Sequence, residues 1–339
     1  NLLNINIRYG SDVPVPMTHV PMTQQSIKTI MIHNEDMRKE ELLLTIFTPT
    51  FNRAKSLRRT YLALLEAVEN AEIGNDVEWI VVDDGSTDGT KEIIAAWIKE
   101  NKINIKYFWQ QNQGKHIAMN FAVKQAKGNY FLVIDSDDAL LPESLSLLLQ
   151  EWDKVDKNDI CCISGRCVDS CGKLVGLALP YSPLDISFTD LRMKLRNNGE
   201  LLDLFQTKIL KEYPFPKYDK RMRFCPEAIA WFEIAKKYKM RIVDKPVRKY
   251  YYDADTSLIK TRNVSRSVAT FYLWRYLVNN LSSYICYNPK EIMKAYVGLT
   301  RDGINIGYSM AKILGGVNSM IKKMVVVLFM PIGYILSKF

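Results

Sequence analysis

Trp79-Ile80-Val81-Val82-Asp83-Asp84-Gly85-Ser86-Thr87-Asp88-Gly89-Thr90 sets a short apolar run directly against two carboxylates and a glycine-rich turn. The run is β-branched after Trp79 and predicts a strand buried on both faces. Gly85 and Gly89 permit the turn that leads into a helix from Thr90 to Lys99. The same alternation extends outward. Upstream, Leu42 to Phe47 reads as a strand, followed by Leu57, Tyr61, Leu64 and Val68 at helical spacing. Downstream come a strand Ile105 to Trp109, a helix through Ile117, Phe121 and Val123 to Lys127 that Gly128 would end, and a strand Tyr130 to Ile134. Strands alternating with helices predict an α/β fold, a mostly parallel sheet with helices on both faces.

Ligands of such sheets collect beyond the carboxyl ends of the strands. Three of those ends carry polar sequence: Thr48 to Arg53, Asp83-Asp84, and Asp135-Ser136-Asp137-Asp138. In the last, Asp135 and Asp137 fall on one side of an extended chain and Asp138 on the other. Paired hard oxygens without Cys or His nearby suit Mg²⁺ or Mn²⁺, ions that add substrate phosphates to one or two carboxylates. Capping a helix near Pro142 would need only one Asp. Neither acidic run is a calcium loop, because Leu140 stands where Gly is needed, and Ser146 and Ala95 stand where the closing Glu is needed. One carboxylate of Asp83-Asp84 is expected to accept from a base N–H or a ribose hydroxyl. Gln113-Gly114-Lys115-His116, between strand and helix, offers a cation and free backbone N–H groups to phosphate. It is not a Walker loop, since Trp109 occupies the first Gly position, and no G-x-G-x-x-G follows a strand.

Charge is distributed unevenly. The net +9 of the 339 residues resides wholly from Lys260 onward, where eleven Lys/Arg face Glu291 and Asp302 alone. These bases are spread through apolar helical patterns (Val268, Phe271, Trp274, Val278, Leu281, Ile285) instead of lining one stripe with aromatics, which disfavours nucleic acid. Asn288-Pro289-Lys290-Glu291 marks a further helix start. Lys322-Lys323 precede an apolar run, Met324 to Leu336, that is too short to span a bilayer and suits an anionic membrane interface or packing on the protein itself. The six cysteines are too few for a disulfide framework, and the four from Cys161 to Cys171 lack paired zinc knuckles; a reducing compartment is expected. No signal peptide is expected, and residues 1–41 read as an extended lead-in.

Thr48 to Arg53, Val82 to Thr90, Gly114-Lys115-His116 with Ala118 and Asn120, Gly128 to Tyr130, and Asp135-Ser136-Asp137-Asp138 together resemble family 2 glycosyltransferases of GT-A fold. The resemblance implies a GT-A-type catalytic domain over residues 42–258, with a nucleotide half (42–152) and an acceptor half (153–258). Residues 259–339 form a basic helical appendage. It further implies inverting, metal-dependent transfer from a nucleotide-diphosphate sugar, commonly UDP. Pro49, Thr50 and Asp84 would surround base and ribose, Asp135 would lie near the ribose, and Asp137 on Mn²⁺ or Mg²⁺. Lys115 joins the nucleotide-binding set. Inversion needs a base for the acceptor hydroxyl. The family's acidic pair before an acceptor-half helix matches Pro226-Glu227-Ala228, so Glu227 is the candidate base and Ala228 replaces the second acid. Complementing the helix N-terminus is the plainer role for Glu227. Tyr250 to Ser257 resembles the segment closing the domain. The expected acceptor is a glycan or lipid-linked glycan in surface polysaccharide assembly, met by a cytoplasmic protein lying peripherally at the inner membrane face. A non-catalytic nucleotide-sugar-binding scaffold is the rival raised by Ala228. A nucleotidyltransferase would want a Gly-rich loop that Thr48 to Arg53 lacks.

Overall fold

A computed structural model describes residues 31–32, 41–251 and 264–338. Most of the lead-in therefore lies outside the described residues, as do Asp253 and Asp255 of the closing segment. The chain runs β1 (Met31–Ile32), β2 (Leu42–Thr50), α1 (Ala54–Asn70), β3 (Val77–Asp83), α2 (Thr90–Glu100), β4 (Asn104–Trp109), α3 (Lys115–Gln125) and β5 (Gly128–Val133). Next come β6 (Ala139–Leu140), α4 (Ser144–Glu151), β7 (Ile160–Val168), β8 (Leu184–Ile186), α5 (Phe188–Met193), β9 (Leu201–Gln206), α6 (Thr207–Glu212), α7 (Ala228–Ile234) and β10 (Lys239–Lys249). The helices α8 (Val264–Leu281), α9 (Pro289–Asn305), α10 (Met310–Gly315) and α11 (Met320–Leu336) follow.

One sheet orders these strands β1-β4-β3-β2-β5-β9-β7-β10-β6, with β8 pairing to β10. β4, β3, β2 and β5 are parallel, as are β7 and β10, whereas β9 runs antiparallel between β5 and β7. Neighbouring residues of one strand enter opposite cores. Ile46, Val81 and Leu132 pack with α1, α2 and α4, while Phe47, Val82 and Phe131 pack with α3, α6 and α7. Burial on both faces explains the near-continuous apolar strands.

One expectation is corrected, and the capping alternative for the acidic run is excluded. Gly128 does not end the preceding helix, whose cap is Ala126 in an extended conformation; it opens β5. A Cβ there would stand 2.2 Å from the Thr45 backbone nitrogen, so the glycine serves close strand approach. Nor do Asp135 to Asp138 cap α4, because β6 intervenes and the helix starts at Ser144. β7 is buried throughout and takes in Cys161, Cys162 and Cys167, while Cys171 is exposed beyond it.

The C-terminal helices share the α3 and α7 core, with Val268, Phe271, Leu277 and Ile292 joining Met222, Phe232 and Ile234. They also grip the segment leading to α7. Arg221 binds Asp219 through two N–H donors, at 3.1 and 2.8 Å, and donates to the Ile306 carbonyl at 3.1 Å. The Tyr308 hydroxyl donates to Asp219 at 2.8 Å, Tyr218 stacks on Tyr272 at 4.6 Å, and Ser265 accepts from the Arg223 N–H at 2.8 Å.

Candidate active site

The ends of β2, β3 and β5 meet the N-termini of α3 and α7 at one rim. Thr50 pairs in register with Asp83, and its carbonyl accepts from the Asp84 N–H at 2.8 Å. The Thr50 hydroxyl is buried and has no partner among the described residues. A buried hydroxyl without a partner is costly unless a ligand or water supplies one. Pro49 lies half-buried beside it.

The two carboxylates after β3 are spent on the fold. Asp83 accepts from the Ser86 N–H and the Tyr107 hydroxyl, each at 2.7 Å. Asp84 accepts from the Gln110 side chain at 2.7 Å and from the Gln113 and Gly114 N–H groups, both at 2.8 Å. Burial pushes the Asp84 carboxyl up, against those three donors. Asp84 thus ties the 110–114 loop to the strand end and sets the start of α3. Gly114, at φ +97°, packs so closely on the Arg223 carbonyl that any side chain would collide.

The loop's next residue reaches across the rim. The Lys115 ammonium stands 2.7 Å from Asp135 and 3.0 Å from Glu227. Burial alone would depress this ammonium, but the two carboxylates outweigh it and hold the group firmly charged. Burial likewise works against the Asp135 charge and is outweighed by Lys115, with Arg248 and Arg53 assisting, so Asp135 is held below the usual carboxylate range. Glu227 is the N-cap residue of α7, makes no side-chain cap hydrogen bond, and directs its carboxylate to Lys115.

Alternation separates the acidic run as expected. Asp137 faces Arg53 at 3.3 Å, and its carbonyl accepts from Arg59, whose guanidinium lies 3.6 Å over the Tyr251 ring. Asp138 turns inward to Arg248 at 3.3 Å, and burial pushes its carboxyl up to about 7 despite that cation. Asp135 and Asp137 remain about one-third exposed, at 35% and 29% of the side chain. Their oxygens fit a hard divalent ion that would take the place of Arg53 beside Asp137. Among the described residues no three His, Cys, Asp or Glu groups converge on one point, so the remaining ligands would be phosphates and water.

The structure therefore joins Asp135, Lys115 and Glu227 directly, puts Asp137 and Thr50 at neighbouring strand ends, and gives Asp84 to loop anchoring. Arg53, Arg59 and Arg248 were not singled out from sequence. Arg53 closes the Thr48 to Arg53 stretch, a usable signal. Arg248 sits in β10, the ninth α or β element after β5, and nothing local to it announces an acidic partner at Asp138.

A family model described as glycosyl transferase family 2 matches residues 45–206. A GalNAc(5)-diNAcBac-PP-undecaprenol beta-1,3-glucosyltransferase of Campylobacter jejuni is 29% identical over 68% of this chain and 71% of its own. An abequosyltransferase of Salmonella typhimurium is 34% identical over 32% of each chain. In fold, the chain is similar to S. aureus TarS 1-349 in complex with UDP-GlcNAc, with a TM-score of 0.58 at 15% identity, covering 86% of this chain and 89% of that one. The segment that matches the glycosyl transferase family 2 model thus runs from β2 to β9, and the fold around it is of GT-A type.

Proposed function

We propose that the protein transfers a sugar, with inversion, from a nucleotide-diphosphate donor of the UDP-sugar class to a hydroxyl of a glycan or lipid-linked acceptor in surface polysaccharide assembly. The observation that carries this reading is the Asp135–Lys115–Glu227 bridge, which sets a phosphate-seeking cation between a nucleotide-side acid and an acceptor-side acid. Thr50, Pro49 and Asp135 would receive base and ribose, with Asp84 holding the loop that completes the pocket. Bound Mn²⁺ or Mg²⁺, which Asp137 would hold, supplies charge neutralisation to the departing diphosphate. Lys115, turning from Glu227 to the diphosphate, would add to that neutralisation and free the base. Attack of the acceptor oxygen on the anomeric carbon breaks the bond to the diphosphate oxygen. The bonding pair leaves with the diphosphate, and the hydroxyl proton passes to Glu227.

Location follows the acceptor. The basic C-terminal helices, together with the undecaprenol-linked acceptor in the Campylobacter relative's name, support a cytoplasmic enzyme lying peripherally at the inner membrane face. No helix among the described residues is long and apolar enough to cross a membrane. Donor hydrolysis across a panel of nucleotide sugars, with and without Mn²⁺, tests the reading. Hydrolysis of one donor, stimulated by Mn²⁺, is expected; binding without turnover of any donor would return the scaffold alternative.

A further inference from the structure

Helix α11 is apolar on both sides. Its inner side is accounted for: Val326 is fully buried, Phe329 stacks on Tyr296 at 6.2 Å, and Gly333 lies against Thr300 and Val297 of α9. The outer side is not. Ile321, Met324, Leu328, Ile332 and Ile335 recur at intervals of three or four and form one stripe, with Ile321 at 74% and Leu328 at 73% exposure. A stripe of this length facing water is uncommon on a monomeric protein and marks an interaction surface.

From this stripe we infer that α11 is the membrane-docking element, lying in the plane of an anionic bilayer with these side chains in the headgroup and acyl boundary. The inference rests on the membrane location proposed above and gives that location a surface. Charge selects the occupant. The described helices from 264 to 338 carry nine Lys/Arg against two acids, and residues 303–338 contain no acid at all. A symmetric second copy along α11 would therefore bring Lys323 and Lys338 toward a face with no carboxylate to meet them. Anionic headgroups complement the same face, and the stripe supplies the apolar half of interfacial binding. At 17 residues, α11 is too short to cross.

Flotation of the full chain with vesicles of phosphatidylcholine alone, or with about one-third phosphatidylglycerol, tests this, alongside L328E/I335E, light scattering and donor hydrolysis without lipid. Wild type should float with the anionic vesicles, less in high salt, and weakly with phosphatidylcholine. The variant alters only exposed positions, so it should keep wild-type hydrolysis while its partitioning falls at least tenfold. Equal flotation of variant and wild type, or a wild-type dimer that the variant splits without any change in vesicle binding, would overturn the inference. A chain that floats as expected yet hydrolyses no donor upholds the docking surface and sinks the transferase reading instead.

Discussion

Glu227 engages Lys115, at 3.0 Å, and not the helix it introduces. The candidate base is thus oriented by a residue whose placement depends on the Asp84-anchored loop, on the far side of the rim. Lys115→Met should leave Asp135 and Glu227 without their shared cation. kcat/KM is expected to fall roughly 10²-fold with weaker UDP binding, and Lys115→Arg should recover part of it. Unchanged kinetics in Lys115→Met would remove the bridge from the mechanism.

Glu227→Gln keeps the size and much of the hydrogen bonding of the acid but takes no proton at neutral pH. kcat should drop by roughly 10² to 10⁴ while donor KM stays near wild type. A near-normal kcat would pass the role to another acid, with Asp253 and Asp255 next in line.

Asp137 and Asp138 should separate in kind. Calorimetry of UDP with Mn²⁺ is expected to show weakened binding for Asp137→Ala, with little change in Tm. Asp138 is buried against Arg248, so Asp138→Ala leaves a buried guanidinium short of a partner and should cost about 3 kcal/mol in urea unfolding. Equal effects of the two on ion binding would contradict the observed division of the run.

Removing the Thr50 hydroxyl breaks no hydrogen bond among the described residues. Thr50→Val should therefore leave Tm unchanged and raise donor KM roughly fivefold, the worth of one hydrogen bond of about 1 kcal/mol. A drop in Tm at constant KM would make the residue structural.

His116 is buried with neither ring nitrogen paired among the described residues, and burial, with the Lys217 charge adding to it, lowers its pKa from 6.5 to about 4. The unfolded chain binds a proton below about pH 6.5 that the folded chain refuses until about pH 4. The associated stability is thus complete above pH 6.5 and declines as pH falls through that window. Relative to His116→Gln, wild type should lose about 2 kcal/mol on going from pH 8 to pH 5. A constant gap between the two unfolding curves would mean the imidazole titrates normally.

The parallel strands and their helices were legible because both faces are buried, which leaves unbroken runs such as Trp79 to Val82. Gly128 was misread because a glycine after a helix and a glycine opening a strand look alike until the partner strand, here Thr45, is in place. Among candidate site residues, the split of the acidic run was readable from its alternation, and Glu227 was picked out by its resemblance to the family's acidic pair. Which cation each carboxylate would meet was not readable. Arg53, Lys115 and Arg248 come from a β2–α1 loop, the start of α3 and the end of β10, and long-range pairing leaves no local pattern. The donors that hold Asp84, at 110, 113 and 114, were hidden for the same reason, since they arrive through the next strand and loop.

The grip of Arg221, Asp219 and Tyr308 bears on how such an enzyme could change its address. A membrane anchor attached by a tether can be exchanged without touching the chemistry. Here the helices that bear α11 also hold the stretch of chain running into Glu227, and they complete the core beneath α7. Cutting the chain ahead of α8 would lay open that core and slacken the approach to the base in one stroke. On the proposed roles, anchor and catalyst are inherited as one piece, and relocating such an enzyme would require remaking the side of the rim that carries Glu227.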